Sequence, residues 1–273
     1  MDEVKIPDDL DQVLDEAWHA ANRIPGFLSK DEARFIGMVA ASAPARGTIL
    51  EIGSFKGRST AMLAKVSQRY GLGRVVAVDP HNFNSAELQG LRTAPDTSTF
   101  DEFSANILSA GVADFVDARR QYSTGVSKDW KSPIRFLWID GDHSHLGAKS
   151  DFDGFLPYLV PGGVVAFHDT LHEFSGPIRV FVEQVLRSNH FGAAGFVGSI
   201  GWAQFRPDDG SLFQNQRASL ERLAAPLIPF LGGGGRQPHG IRKILFKLRR
   251  SRVPRLPIQP QQWGHLLRPP SQG

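Results

Sequence analysis

The pattern of apolar and polar positions predicts two helices at the start of the chain and an alternation of strands and helices after them. Helical spacing covers residues 8–22 and 29–43. Ser29, followed by Glu32 three residues later, is the pattern of a capping box at the second helix. From Gly47 onward, short apolar runs are separated by helical segments. Such runs indicate parallel strands buried on both faces, as in a doubly wound α/β domain.

The same pattern locates the strands and helices of this domain. Strands are expected over residues 48–52, 74–78, 113–117, 136–139, 164–167, 195–199 and 202–205. Helices are expected over residues 59–70, 100–110 and 176–189. The last two strands are close enough in sequence to form a hairpin with its turn at residues 200–201. Residues 79–101 lose the apolar period, which predicts a lid-like loop over the carboxyl ends of the strands.

Composition divides the chain into four segments. They are a helical cap over 1–46, the α/β core over 47–206, an extension over 207–231 and a Gly- and Pro-rich tail over 232–273. The tail begins with four glycines, and its end over 254–273 is expected to lack fixed structure. An acidic N-terminus and no apolar run of about 18 residues favour a cytoplasmic location.

Charge is distributed unevenly along the 273 residues, although the net charge is only +3. Residues 1–221 contain 21 Lys and Arg against 28 Asp and Glu, whereas the ten residues of these four types after Glu221 are all basic. An acidic body argues against nucleic-acid binding. The sequence contains no cysteine, which excludes a disulfide framework, thiolate metal sites and cysteine nucleophiles.

The basic tail contains one segment with helical apolar spacing. Ile241, Ile244, Leu245 and Leu248 follow that spacing, and basic residues occupy most of the other positions between 240 and 252. We expect an amphipathic helix that binds an anionic membrane surface and makes the protein peripheral there. The alternatives are that the helix packs on a partner or on the acidic body, that the segment stays frayed or disordered, or that it binds nucleic acid.

Glycines and a carboxylate follow the first two predicted strands. Gly53 and Gly57 lie where the first strand turns into a helix and a ligand can approach bare backbone. Asp79 ends the second strand, where a carboxylate can accept hydrogen bonds from ribose hydroxyls. Phe55 occupies the position of the second glycine of G-x-G-x-x-G, which argues against a nicotinamide-dependent oxidoreductase.

Carboxylates and imidazoles follow two later strands. Asp140 and His143 come after the strand that ends at residue 139, and His168 and Asp169 come after the strand that ends at residue 167. Open α/β sheets bind ligands at this edge. Oxygen ligands from two adjacent strand ends suit a hard divalent ion such as Mg²⁺.

Five segments in a fixed order give the chain a family resemblance. They are Ile24-Pro-Gly-Phe-Leu28, Glu51-Ile-Gly-Ser-Phe-Lys-Gly-Arg-Ser-Thr60, Val78-Asp79, Ile139-Asp-Gly-Asp-His-Ser144 and Leu159-Val-Pro-Gly-Gly-Val-Val-Ala-Phe-His-Asp169. Over residues 25–205 the chain resembles the class I S-adenosylmethionine-dependent methyltransferases, and within them the metal-dependent sugar and natural-product O-methyltransferases. The resemblance implies an enzyme with a Rossmann-like seven-stranded sheet, mostly parallel with an antiparallel last strand.

The resemblance also implies S-adenosylmethionine as the cofactor and a set of residues around it. The candidate cofactor-binding residues are Glu51, Gly53, Ser54, Gly57, Ser59, Asp79, Ser123 and Asp140. In this assignment Gly53 backs the methionine part, Asp79 holds the ribose, and residues 121–123 flank the adenine.

The acceptor implied by the resemblance is a hydroxyl of a sugar, glycoside or polyol-like metabolite. Asp140 and Asp169 are expected to hold Mg²⁺ or Mn²⁺, with His168, which replaces an acidic residue of related enzymes, as the third candidate ligand. His143 matches the position of their general base, and a free imidazole titrates near pH 6.5. Asp140 and His143 are therefore the predicted catalytic residues.

Two alternatives to a methyltransferase stay open on the sequence alone. One is a catalytically silent Rossmann-like module that docks a membrane-associated biosynthetic complex. The other, less favoured, is an NAD(P)-dependent oxidoreductase. A homo-oligomer is compatible with each of these functions.

Overall fold

A seven-stranded sheet forms the centre of the computed structural model, which describes residues 4–82, 99–231 and 238–269. The strands are β1 (Thr48–Ile52), β2 (Val75–Val78), β3 (Val116–Arg119), β4 (Ile134–Ile139), β5 (Leu159–Phe167), β6 (Phe191–Val197) and β7 (Ile200–Phe205). Their order is β3-β2-β1-β4-β5-β7-β6. The first five strands pair in parallel, and β7 is antiparallel to both neighbours, β5 and β6. The predicted doubly wound fold with an antiparallel last strand is confirmed.

The hairpin of β6 and β7 differs from its predicted position. Val197 pairs with Ile200, so the turn lies at Gly198 and Ser199 instead of residues 200–201. Gly198 has a φ of +58°, a conformation that glycine adopts without the steric penalty of a Cβ atom. The apolar run through residues 200 and 201 therefore belongs to β7.

Helices flank the sheet and the tail adds two more. They are α1 (Leu10–Ala21), α2 (Lys30–Ser42), α3 (Arg58–Tyr70), α4 (Thr99–Ser109), α5 (Ser123–Asp129), α6 (His145–Phe155), α7 (Ser175–Val180, continued as a π-helix over Phe181–Leu186), α8 (Gln214–Ala224), α9 (Gly240–Arg250) and α10 (Pro260–Leu266). The capping box of Ser29 and Glu32 at α2 is confirmed. The strand predicted over 113–117 begins only at Val116, because Ala113–Phe115 forms a 3₁₀ turn.

Two apolar cores lie on the two faces of the sheet. One includes α1, α2 and α3 with Trp138 and Trp202, and the other includes α6 and α7 with Phe152 and Phe167. Strands β1, β2 and β4 alternate sides between these cores and are almost entirely buried, which explains their continuous apolar sequences.

Within residues 254–273, which were expected to lack fixed structure, Pro260–Leu266 forms α10 and packs on the body of the molecule. Trp263 of α10 is fully buried and contacts the rings of Phe35 and Trp202, with ring centroids 6.0 and 4.9 Å away. The burial of so large an aromatic side chain stabilises α10, although the residues around it are typical of turns. The predicted lid falls largely on residues 83–98, and the four glycines fall on 232–237, both outside the described residues. No helix in the described ranges is long and apolar enough to cross a membrane.

Candidate functional site

The loop between β1 and α3 is shaped by close backbone contact with the end of β4. Gly53 has a φ of +84°, and a Cβ atom added to it would lie 2.1 Å from the carbonyl oxygen of Asp140. The sequence predicted this glycine, but the group that approaches it in the structure is the backbone of Asp140. Gly57, with a φ of +94°, precedes the first residue of α3.

Asp79 at the end of β2 binds the backbone of that loop. Its Oδ2 accepts the N–H groups of Ser54 and Phe55 at 2.9 and 2.8 Å, and its Oδ1 accepts the N–H of His81 at 2.7 Å. A carboxylate has about four acceptor positions, so these three bonds leave room for one more donor. The hydroxyl oxygen of Ser54 is buried and has no hydrogen-bond partner among the described residues. An unsatisfied hydroxyl beside a partly used carboxylate fits a polar ligand such as a ribose-bearing cofactor.

Glu51 lies behind this loop and not at its surface. It is fully buried, and its two oxygens accept the hydroxyls of Ser59 and Thr60 at the start of α3. Burial raises the pKa of Glu51 to about 8. In this structure Glu51 and Ser59 join β1 to α3 and support the loop, and their direct contact with a cofactor stays a prediction.

The predicted adenine side contains a second buried carboxyl group. Ser123, the first residue of α5, donates its hydroxyl to Asp151 of α6. Burial raises the pKa of Asp151 to about 6. Tyr122 beside it is exposed, and its hydroxyl accepts a hydrogen bond from Asn82 at 2.8 Å. The Ser123 side chain is thus engaged within the protein.

Two carboxylates and two imidazoles form an acid–imidazole cluster at the ends of β4 and β5, made of Asp140, His143, His168 and Asp169. His168 Nδ1 lies 3.1 Å from Asp140 Oδ1 and 3.6 Å from Asp169 Oδ1. Burial opposes the charge of His168, but the neighbouring carboxylates hold its pKa well above the usual value. His168 is therefore buried against carboxylates that favour its protonated form.

His143 approaches the same carboxylates from the loop before α6. Its Nε2 lies 3.2 Å from Asp169 Oδ2 and 3.6 Å from Asp140 Oδ1, without the direction of a hydrogen bond to any described group. Its ring stacks on Phe174 at a centroid distance of 4.4 Å. Despite burial, the two carboxylates raise the pKa of His143 to about 9. The expectation of an unperturbed imidazole that titrates near 6.5 is wrong.

Glu32 is the residue of this region that sequence reasoning assigned only to helix capping. Its Oε2 accepts the backbone N–H of Ser29 and lies 3.9 Å from His168 Nε2, and its Oε1 accepts the N–H of Ser199 at 2.7 Å. Although burial acts in the opposite direction, His168 and the Ser29 hydroxyl hold the pKa of Glu32 far below its usual value. The acidic residue three positions after the cap was the only signal available in the sequence.

The residues that could hold a metal differ from the predicted set. One possible ligand atom from each of Asp140, His143 and Asp169 lies within 4.8 Å of the others. His168 is not part of this group, and its Nδ1 lies within hydrogen-bond distance of Asp140. Asp140 and Asp169 are common to the predicted set and to this group, and ligation of a metal by His168 stays a prediction.

Backbone strain is concentrated around the two halves of the site. Phe55, His81 and Asp169 have φ angles of +45°, +50° and +53°, values that residues other than glycine adopt uncommonly. Phe55 lies in the loop after β1, His81 follows β2, and Asp169 belongs to the acid–imidazole cluster. Strained positions of this kind cluster at ligand-binding and catalytic sites.

Comparison with known proteins finds similarity to methyltransferases. Residues 50–170, which include both halves of the site, match the sequence profile of a methyltransferase domain family. Among solved structures, the chain is similar to the O-methyltransferase NovP, at 11% identity and a TM-score of 0.56 over 72% of this chain and 98% of that one.

Two further solved structures resemble the chain. Cofactor-bound Rv0187 from MTB is 19% identical with a TM-score of 0.52, over 74% of this chain and 92% of that one. The methyltransferase PaMTH1 of Podospora anserina, bound to SAH, is 12% identical with a TM-score of 0.51, over 75% and 90%. At these identities the similarity establishes a shared fold. The match to the methyltransferase profile covers residues 50–170, fewer than half of the 273 residues, and it shows that this segment is similar to a methyltransferase domain.

Proposed function

We propose that this chain is a class I S-adenosylmethionine-dependent methyltransferase. It would transfer the methyl group of S-adenosylmethionine to a hydroxyl oxygen of a small molecule in the cytoplasm, and the acceptor would be a sugar, glycoside or polyol-like metabolite. The observation that carries the proposal is the adjacency of two sites at one sheet edge. The Gly53 loop meets the backbone of Asp140, whose side chain belongs to the acid–imidazole cluster. Donor and acceptor would thus be held side by side, and such positioning lowers the barrier of a bimolecular reaction.

The cofactor side of the proposal rests on the loop after β1. S-Adenosylmethionine supplies a methyl group made electrophilic by its sulfonium centre. Asp79 would accept one ribose hydroxyl at its remaining acceptor position, and Ser54 would use its unpaired hydroxyl for a polar group of the same ligand. Gly53 and Gly57 maintain the course of the loop, and residues 121–123 would flank the adenine through their backbone.

On the acceptor side, His143 is proposed to accept the proton of the hydroxyl. Its Nε2 faces both carboxylates and hydrogen-bonds neither, so this nitrogen is not committed to a partner among the described residues. Asp140 and Asp169 would stabilise the imidazolium that forms. His168 supplies a fixed positive charge behind them, which limits the repulsion between two neighbouring carboxylates.

The test is methyl transfer from tritiated S-adenosylmethionine to a panel of sugars and glycosides, with the variant His143→Gln. Loss of a general base lowers turnover about 10²- to 10⁴-fold. The pKa of about 9 further predicts that kcat/KM of the wild type rises with pH and levels off above that value. His172→Gln is the matched control, because His172 also stacks on Phe174 but is exposed. Equal rates for the two variants would refute the role of His143.

A divalent ion is the second candidate for the acceptor side, favoured by the spacing of Asp140, His143 and Asp169. An ion held there would polarise the acceptor hydroxyl as a Lewis acid. His143 would then be a ligand and would not be available as the base. Exhaustive dialysis against EDTA separates the two roles: unchanged turnover supports His143 as the base, and lost turnover restored by Mg²⁺ or Mn²⁺ assigns the metal.

A further inference from the structure

Helix α9 is fixed to the body of the protein through one face. Phe246 is fully buried, and Arg250 donates to the carbonyl oxygen of Leu171 at 3.2 Å. Lys243 pairs with Glu173 at 3.2 Å, and Arg242 donates to the carbonyl oxygen of Pro229 at 2.7 Å. These contacts tie the helix to the loop after β5 that carries the acid–imidazole cluster and fix its rotation about its own axis.

The apolar row of α9 points away from the body. The row consists of Ile241, Ile244, Leu245 and Leu248, which are 42 to 75% exposed. Packing of an amphipathic helix normally buries such a row and leaves the basic side in water. Here the protein holds the helix by an aromatic residue and by basic residues, so the apolar row is presented to the outside.

Cations surround this exposed row. Arg242, Lys247, Arg249 and Arg252 are exposed, and the sequence after Glu221 contains no acidic residue to neutralise them. An apolar row bordered by cations matches a surface with negative headgroups above an apolar layer. We propose that α9 docks this enzyme onto an anionic lipid bilayer, with the apolar row inserted at the headgroup boundary.

A second copy of the chain is a poorer occupant of the same face. Symmetric pairing through this row would bring the basic residues of two α9 helices together, and juxtaposed like charges oppose association. Anionic lipid removes that repulsion, since each basic residue near such a surface contributes roughly 1 kcal/mol to binding. The charges therefore favour lipid over self-association.

The experiment is flotation of the full chain with vesicles of phosphatidylcholine alone or of phosphatidylcholine with about 30 mol% phosphatidylserine, an anionic lipid that attracts basic segments. Wild-type protein should float with the anionic vesicles and stay at the bottom with the neutral ones. Leu248→Glu, which places a negative charge within the row, should reduce the partition coefficient at least tenfold. Leu108→Glu is the matched control, because Leu108 of α4 is also an exposed helical leucine, at 71% against 58% for Leu248.

Two double variants test the electrostatic contribution to membrane binding. Lys247→Gln with Arg252→Gln should weaken binding about thirtyfold, the effect of two basic contacts. The control is Lys128→Gln with Lys131→Gln, which removes two exposed cations outside the tail.

Three results would overturn the proposal. They are equal flotation with both vesicle types, equal loss in the leucine variant and its control, or a wild-type dimer in light scattering that Leu248→Glu dissociates. Calorimetric binding of S-adenosylmethionine by each variant reports on the methyltransferase function separately, so failure of docking does not count against it.

Discussion

Gly53 is the residue at which the loop between β1 and α3 lies against the backbone at the end of β4. Its positive φ favours glycine, and the nearby carbonyl oxygen of Asp140 leaves no space for a Cβ atom. Glycine alone satisfies both, because any Cβ atom would have to displace main chain and not a flexible side chain. The sequence motif predicts a glycine at this position, but it does not identify the neighbouring group that excludes other residues.

Gly53→Ala should therefore destabilise the fold strongly and abolish cofactor binding. We expect a loss of more than about 3 kcal/mol in the free energy of unfolding, since overpacking adds to the cost of the positive φ. Gly73→Ala is the control, because Gly73 has a φ of +89° but open space around its Cα atom. That variant should lose only about 1 to 2 kcal/mol. Chemical denaturation measures both, and equal losses would show that the contact with Asp140 has no energetic role.

The four members of the acid–imidazole cluster illustrate how far a sequence can locate chemistry. Asp140 and Asp169 could be predicted because parallel strands end at one edge of the sheet. The raised pKa of His143 and of His168 could not be predicted, since it depends on distances of 3 to 4 Å between side chains of different elements. Glu32 was missed for the same reason, because it meets Ser199 only after β6 and β7 have formed.

At the scale of elements, the two C-terminal helices differ most from their expected structure. Composition predicts the absence of structure where Pro, Gly and Gln are frequent. A single large aromatic residue in a complementary pocket can nevertheless order a short helix, and Trp263 does so in α10. The apolar spacing of α9 agrees with the prediction. The residue through which the helix packs on the body is Phe246, which lies outside the predicted row.

Trp263→Ala should lower the free energy of unfolding by about 3 to 5 kcal/mol, as expected for the loss of a fully buried tryptophan. Its ring contacts Phe35 of α2 and Trp202 of β7, so the loss affects the main core and not only the tail. The neighbouring variant Leu266→Ala, at a partly exposed position, should cost less than about 1 kcal/mol. Urea denaturation followed by circular dichroism distinguishes these values. A Trp263 variant as stable as the wild type would show that α10 is not part of the folded unit.

At the scale of the whole molecule, continuous apolar runs made the order of strands and the fold class predictable. Strands such as β1, β2 and β4 have almost no exposed positions, so their sequences carry a strong signal. The exact ends of the strands were harder to predict. Gly198 fixes the position of the turn between β6 and β7, and a 3₁₀ turn precedes β3.

The stability of the whole molecule should depend on pH through the acid–imidazole cluster. The raised pKa of His143 contributes stability that is fully present below its unfolded value of 6.5 and is lost as pH rises through about 9. Although burial opposes it, the neighbouring histidines lower the pKa of Asp140 to about 2, so its contribution is present above 3.8 and lost as pH falls to about 2.

Thermal unfolding of wild type and His143→Gln between pH 4 and 10 isolates the histidine contribution. The wild type should be the more stable protein below pH 6.5, and the difference in Tm should shrink as pH approaches about 9. A constant difference over the whole range would mean that His143 carries no extra proton in the folded state.

Calorimetric titration of the protein with S-adenosylmethionine and S-adenosylhomocysteine tests most directly whether the site beside Asp79 binds this cofactor. Folded wild type should bind both, and Asp79→Asn should bind at least tenfold more weakly, because it loses charge-assisted bonds to the loop and to the ribose. Asp114→Asn, a change at an exposed carboxylate, should bind as the wild type does. Absence of binding by folded wild type, or equal affinity of the Asp79 variant, would contradict this account of the site.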